Sequence, residues 1–113
     1  MAARFEIYKD TAGELRFRLV AGNNEKLLAS EGYATKASAE SGIASVKANA
    51  PIDARYEKKS STNGKAYFVL KAANHEVIGT SQMYKSTTSR NHGIEAVKRN
   101  APSAETKDVT RLI

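Results

Sequence analysis

Between Leu15 and Val20 apolar and charged residues alternate, with Leu15, Phe17 and Leu19 on one side and Arg16, Arg18 and Val20 on the other. A period of two is that of a half-buried antiparallel strand. A shorter strand is predicted before it over Arg4 to Lys9, ending at a polar turn that closes on Gly13. The same pattern returns later: a strand over Arg55 to Lys59, an Asn63-Gly64 turn, then Phe68 and Leu70 in the phase of Phe17 and Leu19. Asn-Gly between two such runs is a strong hairpin signal. Asn23-Asn24 and Asn74-His75 mark a second tight turn in each half, because asparagine tolerates positive φ and can bond its own backbone. A third strand carries Leu27 or Ile78 and runs towards Tyr33 or Tyr84.

The spacing then changes to that of a helix. Ala39, Ile43, Val46 and Ala50 recur at four, three and four residues, a narrow apolar stripe suited to packing on a sheet. Helices are predicted over Lys36 to Asn49 and Thr87 to Asn100, with Thr35 and Ser86 as N-caps. Pro51 and Pro102 stop them, and Asn49 and Asn100 are expected to take the left-handed C-terminal position.

These parallels share one register. Gly13 and Gly64, Phe17 and Phe68, Tyr33 and Tyr84, and Pro51 and Pro102 all differ by 51, and Gly42-Ile43-x-x-Val46-Lys47-x-Asn49-Ala50-Pro51 returns as Gly93-Ile94-x-x-Val97-Lys98-x-Asn100-Ala101-Pro102. The chain is therefore read as two tandem β-β-β-α repeats, residues 1–51 and 52–102, with 103–113 as a C-terminal tail in which Val109 to Ile113 could add a strand. The fold class is α+β: one pseudo-symmetric domain with both helices packed on an antiparallel sheet. Two copies are too few for a solenoid, and a unit of about 50 residues buries too small a core to stand securely alone. Phe17, Leu19, Ile43 and Val46, with Phe68, Leu70, Ile94 and Val97, are expected to be the most buried residues.

Phe5-Glu6-Ile7-Tyr8-Lys9-Asp10 with Gly13, Phe17-Arg18-Leu19, Tyr33, Ser38-Ala39-Glu40 and the run Gly42 to Ala50 together resemble the YegP-like family of small bacterial proteins, built from a domain of unknown function. The likeness spans nearly the whole chain and matches the duplicated type. It implies three strands and a helix per copy, joined as a pseudo-dimer, and it implies no activity.

Composition excludes several classes. At 113 residues, 41% hydrophobic and 27% charged, the chain suits one globular domain. No apolar run approaches the roughly 18 residues of a membrane helix, and Met1 to Asp10 lacks the layout of a secretory signal, so a cytoplasmic location and no membrane partner are expected. Without cysteine there is no disulfide and no thiolate chemistry. His75 and His92 fall where the other copy has Asn24 and Ser41 and bring no converging ligands, so no metal site is expected. Glu25 with Glu76, retained in both copies, is the pair to inspect for acid–base work, yet each flanks a turn where a solvated carboxylate is ordinary. The glycines are scattered singly and form no nucleotide loop. No catalytic residue, cofactor or small-molecule substrate is inferred, and the protein is read as a non-enzyme. Gly42 and Gly93 stand out, because glycine inside a helix costs about 1 kcal/mol relative to alanine. Close packing of helix on sheet, or of helix on helix across the pseudo-dyad, is the expected compensation, with a local kink as the alternative.

Charge supplies the one functional hint. The chain carries +6, with seven basic against six acidic residues in 1–51 and eleven against six in 52–113, so the second part is +5. Lys58, Lys59, Lys65, Lys71, Lys85, Arg90, Lys98 and Arg99 could form a patch that draws phosphates, and Arg16, Arg18 and Tyr67 are expected on the sheet face opposite the helices, where bases can stack. Glu95 and Arg99 are spaced for an i, i+4 pair that would neutralise part of the excess. No base-reading motif is present. The favoured reading is an interaction module for a protein partner, with weak, sequence-tolerant nucleic-acid binding as the alternative.

Overall fold

The hairpin signals are realised as turns that only residues with access to positive φ can make. Gly13 and Gly64 have φ of 86° and 80°, and Asn24 and His75 have φ of 69° and 70°. Around these turns the computed structural model, which describes residues 2–110, forms β1 (Arg4–Lys9), β2 (Leu15–Val20) and β3 (Lys26–Ala29), then α1 (Lys36–Asn49). The second copy follows as β4 (Tyr56–Ser60), β5 (Ala66–Lys71), β6 (Val77–Thr80) and α2 (Thr87–Asn100), and β7 (Glu105–Asp108) comes last. Single 3₁₀ turns at Asp53–Arg55 and Ala101–Ser103 link each helix to the strand after it.

The seven strands make one sheet in the order β4-β5-β6-β3-β2-β1-β7. Each copy contributes an antiparallel meander, and the two meanders meet where β3 pairs with β6 through Ala29 and Thr80. The sheet is mixed rather than wholly antiparallel, because β7 pairs with β1 in parallel. That strand also corrects two expectations for residues 103–113. The segment is not merely a tail, and its strand at Glu105–Asp108 lies ahead of the expected start at Val109. Val109 still gives its amide to the Ile7 carbonyl of β1, Thr110 lies in a turn, and residues 111–113 lie outside the described residues.

One core serves both copies. Phe5, Ile7, Phe17, Leu19, Phe68 and Leu70 all turn to the helix side and are fully buried, as are Val46 and Val97. Ile43 and Ile94 are nearly so, and the eight positions expected to be most buried are all within this cluster. Each large apolar side chain so buried contributes about 1.5–3 kcal/mol. The helices reach across the midline, α1 packing on β6 and α2 on β3, so neither copy closes its core alone. At that midline the copies must differ. A Cβ on Gly79 would stand 3.1 Å from Leu28 Cδ2, so the larger residue at position 28 fills the room left by glycine at the equivalent position.

The helix boundaries follow their caps. The Thr35 and Ser86 hydroxyls accept from the backbone amides of Ser38 and Ser89, both at 3.1 Å. At the other end Asn49 and Asn100 are not left-handed. Their amides donate to the carbonyls of Ser45 and Ala96, each at 2.8 Å, while Ala50 and Ala101 stay helical. The asparagines thus satisfy last-turn acceptors from within the helix, and the prolines alone enforce the stop.

Gly42 and Gly93 are explained by a tyrosine. The Tyr33 ring stacks on Phe17 with centroids 6.1 Å apart, and Tyr84 stacks on Phe68 at 6.4 Å. Each tyrosine lies against the glycine backbone, joined at Gly42 by Phe17: a Cβ at Gly42 would lie 2.8 Å from Phe17 Cε2 and 2.9 Å from Tyr33 Cζ, and one at Gly93 would collide with the Tyr84 hydroxyl. Ser30 and Ser81 fix the strand ahead of each tyrosine, their hydroxyls accepting from the Phe17 and Phe68 amides at 2.8 and 3.0 Å. Gly42→Ala is therefore expected to lower stability by about 1–3 kcal/mol through overpacking, even though alanine is favoured in a helix by about 1 kcal/mol. Urea unfolding measures this, and an unchanged or raised midpoint contradicts the packing account.

Candidate functional site

The residues singled out by charge do not form one surface. Lys58 and Lys59 are successive on β4, so their side chains leave opposite faces of the sheet. Lys59 lies on the face away from the helices, opposite Tyr67 in the β4–β5 ladder, with Nζ 3.2 Å from Glu57. Arg16 and Arg18 share that face at the other end of the sheet, and both are ion-paired: Arg16 with Asp10 at 2.7 Å and Arg18 with Glu6 at 2.8 Å. The Arg18 guanidinium also sits 4.4 Å above the Tyr8 ring. Lys85 precedes the cap of α2, and Arg90 in its second turn reaches Asn91 at 3.4 Å. Lys58 alone projects on the helix side of β4, beside α2. The anticipated Glu95–Arg99 pair is replaced by Glu95–Lys98 at 3.1 Å, because Lys98 faces a cleft where it also meets Asp53 while Arg99 points to solvent.

The open face carries one arrangement common to both copies. Glu6 lies between Arg4 and Arg18, both at 2.8 Å, and Glu57 lies between Lys59 and Lys71. Equivalent glutamates thus obtain their cations from different positions, since Lys59 and Lys71 correspond to Tyr8 and Val20. Burial pushes the Glu6 carboxyl up, but the hydrogen bonds from Arg18 and Arg4 outweigh it and hold the group below its ordinary value. The Lys71 contact lowers Glu57 similarly. Both are anions at neutral pH and neither is tuned as a general acid. Glu25 and Glu76 are exposed and far from sharing a pocket, and Glu25 accepts from Gln82 at 3.0 Å across the junction of the copies. His75 and His92 are exposed, and among the described residues no group of three His, Asp or Glu gathers to hold a metal. No helix among them is long and apolar enough to cross a membrane.

A different site emerges where the copies are treated unequally. The outer edge of β1 is closed by β7, and Ala101 and Ala104 beside it are buried. β4, the counterpart of β1, ends the sheet, with no strand beyond it among the described residues. Val109 donates to the Ile7 carbonyl at 2.9 Å, so the backbone of Ile7 faces the edge, and Lys58 is the residue 51 positions on. The Ser61 amide points inward to the Lys65 carbonyl at 2.8 Å, which by alternation leaves the amides of Lys58 and Ser60 facing outward.

Beside this edge a cleft of about 570 Å³ opens between β4 and α2, lined by Asp53, Tyr56, Lys58, Ile94, Glu95 and Lys98 among others. Its floor is conserved between the copies in kind: Lys98 lies 5.7 Å over the Tyr56 ring as Lys47 lies 5.7 Å over Phe5. The walls differ. Ile7 becomes Lys58, Ala44 becomes Glu95 and Ala2 becomes Asp53. The Tyr56 hydroxyl donates to the Ala50 carbonyl at 2.8 Å, and burial raises its pKa, so the ring is a fixed wall and not an acid. Charge counting missed Asp53 and Tyr56, and it placed Lys98 in a basic patch and Glu95 beside Arg99 without joining them to Ile94 in a cleft. The signal lay in the 51-residue register, which aligns Glu105–Asp108 with Ala54–Glu57 at the start of β4 and so marks the segment after α2 as a strand.

The Glu6 geometry yields a pH dependence. A carboxyl whose folded pKa is depressed contributes stability above its unfolded value and loses it as pH falls through the folded one. The stability advantage of the wild type over Glu6→Gln is thus expected in full near neutrality and to shrink as pH drops below 4.5. Unfolding midpoints of the pair across that range decide it, and a difference independent of pH contradicts the assigned ion pairs.

The model for a domain of unknown function, DUF1508, matches residues 10–57 and again 61–108. Each matched unit therefore runs from a first hairpin through the helix into the strand that follows, so β7 closes the second unit as the start of β4 closes the first. The chain is similar to the UPF0339 protein YegP of Escherichia coli strain K12, 54% identical across 97% of this chain and 100% of that one. It is 56% identical to a UPF0339 protein in the ptx operon 5' region of Stutzerimonas stutzeri, covering 96% of this chain and 98% of that one. Among solved structures, the solution NMR structure of a UPF0339 protein from Shewanella oneidensis superposes with a TM-score of 0.90 at 48% identity, over 98% of this chain and 94% of that one. That of E. coli YegP, a protein of unknown function, gives 0.91 at 55% identity, over 97% and 95%. Tandem matching and full-length identity together place this chain in the YegP-like UPF0339 family, as a duplicated DUF1508 protein.

Proposed function

We propose that this protein is a non-enzymatic interaction module that takes a protein partner along β4 and the cleft between β4 and α2. One observation carries this reading: the two copies present equivalent edges, and the chain closes one with β7 while the other stays open beside a polar cleft. An unpaired edge offers a row of backbone donors and acceptors, which is what strand-adding partners use. Nucleic-acid binding has less support. Lys58 and Lys59 diverge to opposite faces, and Arg16, Arg18, Lys59 and Lys71 are each ion-paired, Arg16 with Asp10, Arg18 sharing Glu6 with Arg4, and Lys59 sharing Glu57 with Lys71.

Retention of ligands from a bacterial extract at roughly 50 mM salt, where phosphate contacts are strongest, tests the two readings together. Wild type is compared with Lys58→Pro, which removes an outward-facing donor that an edge strand can spare, and each protein's unfolding midpoint is checked alongside. The expected result is a polypeptide retained by wild type, unaffected by nuclease and reduced at least tenfold on a folded Lys58→Pro variant. Retention lost on nuclease treatment favours the nucleic-acid alternative, and equal retention by the variant removes β4 from the site.

A further inference from the structure

The strand on β1 shows what the open edge is shaped to receive. In the parallel ladder Glu105 lies opposite Arg4, Thr106 opposite Phe5, Lys107 opposite Glu6 and Asp108 opposite Ile7. Advancing the β1 positions by 51 gives Arg55, Tyr56, Glu57 and Lys58. The same four-residue pattern laid along β4 would therefore meet Arg55 with an acid, Glu57 with a base and Lys58 with an acid. On β1 the Asp108 carboxylate is held by Lys36 of α1 at 2.9 Å, and the counterpart of Lys36 is Thr87, so along β4 Lys58 would take the place of that cation. Glu6 already holds Arg4 and Arg18 with Lys107 opposite it, so the contacts of Glu57 with Lys59 and Lys71 present no obstacle to a third cation.

The space agrees with the register. β7 sets out from Ala104, whose counterpart is Asp53, and Asp53 stands at the start of the cleft. From there the second copy turns into β4 itself, leaving vacant the lane that β7 fills beside β1. A second copy of this chain is a poor occupant, because moving its β7 onto a neighbour's β4 would bare its own β1 and gain nothing. A strand from a different protein carries no such cost.

Resting on the protein-module reading above, we propose that the partner adds an extended segment parallel to β4, with a basic residue opposite Glu57 and an acidic residue opposite Lys58. In a parallel pair partners point to the same face, so the base joins Glu57 on the open face while the acid enters the cleft beside Lys58. Backbone bonds supply affinity, and the two charge matches set register and exclude segments of reversed sign.

The probe is a capped peptide of sequence Ser-Ala-Glu-Thr-Lys-Asp-Val-Thr, the order of residues 103–110, added to the isotope-labelled full-length protein. Expected are amide shifts at Lys58, Ser60 and Lys98, slowed exchange of the Lys58 amide, and at least tenfold weaker binding by a peptide with its three charges reversed. Lys58→Glu should weaken the first peptide about tenfold and strengthen one whose Asp is replaced by Lys, a crossover that partial unfolding cannot mimic. Shifts confined to β1, equal binding by the reversed peptide or no binding at millimolar peptide overturns the proposed mode. A protein partner that binds while leaving the Lys58 amide unprotected also overturns it but leaves the module reading standing, and the absence of any protein ligand removes both.

Discussion

A sheet folded from two copies of one unit has two equivalent edges, and among the described residues one strand beyond the copies, β7, covers one of them. The rest of the molecule is arranged by that constraint. β7 reaches β1 because α2 and the 3₁₀ turn after it carry the chain back over the shared core, packing against α1 on the way. The second helix thus joins β6 to a strand at the far edge of the sheet. β1 can then be apolar on its helix side, with Phe5 and Ile7 fully buried, whereas β4 must face water and carries Tyr56 and Lys58 at the same positions.

What the copies share and where they differ separate along the same line. The features held in common are those a single unit needs to close on itself: the positive-φ turns, the Ser30 and Ser81 bridges, the stacked tyrosines and the glycines they press against. Differences gather at the midline, where Leu28 packs over Gly79, and at the outer edge, where apolar positions become charged. The midline difference follows from packing, because two side chains on a pseudo-dyad compete for one space. The edge difference keeps an exposed strand soluble, and lysine on an edge strand also discourages pairing between like copies.

Much of this architecture was legible in the sequence because the local signals agreed with one another. The helix over Lys36–Asn49 was bounded by a hydroxyl cap before it and a proline after it, and the strand over Leu15–Val20 by its alternation. Asn49 and Asn100 misled because asparagine serves equally as a left-handed terminus or, as here, as a side-chain donor to the turn before it. β7 has no apolar alternation, all four of its residues being exposed, so periodicity could not reveal it. The basic residues were visible as a count, but a count cannot tell that Lys58 and Lys59 diverge or that Arg18 lies between Tyr8 and Glu6. The cleft was hidden for a related reason, since it is a place the chain does not go.

The unequal treatment of equivalent edges is tested most directly by amide hydrogen exchange in the dilute free protein, comparing Ile7 with Lys58. Both amides face outward on strands of the same sheet, one towards β7 and one towards water. Exchange of a backbone amide is slowed when a ladder bond must first open. The account predicts strong protection of Ile7 and little at Lys58, with the inward-facing Glu57 amide protected as a control for the integrity of β4. Equal protection of Ile7 and Lys58 in the free monomer would contradict it.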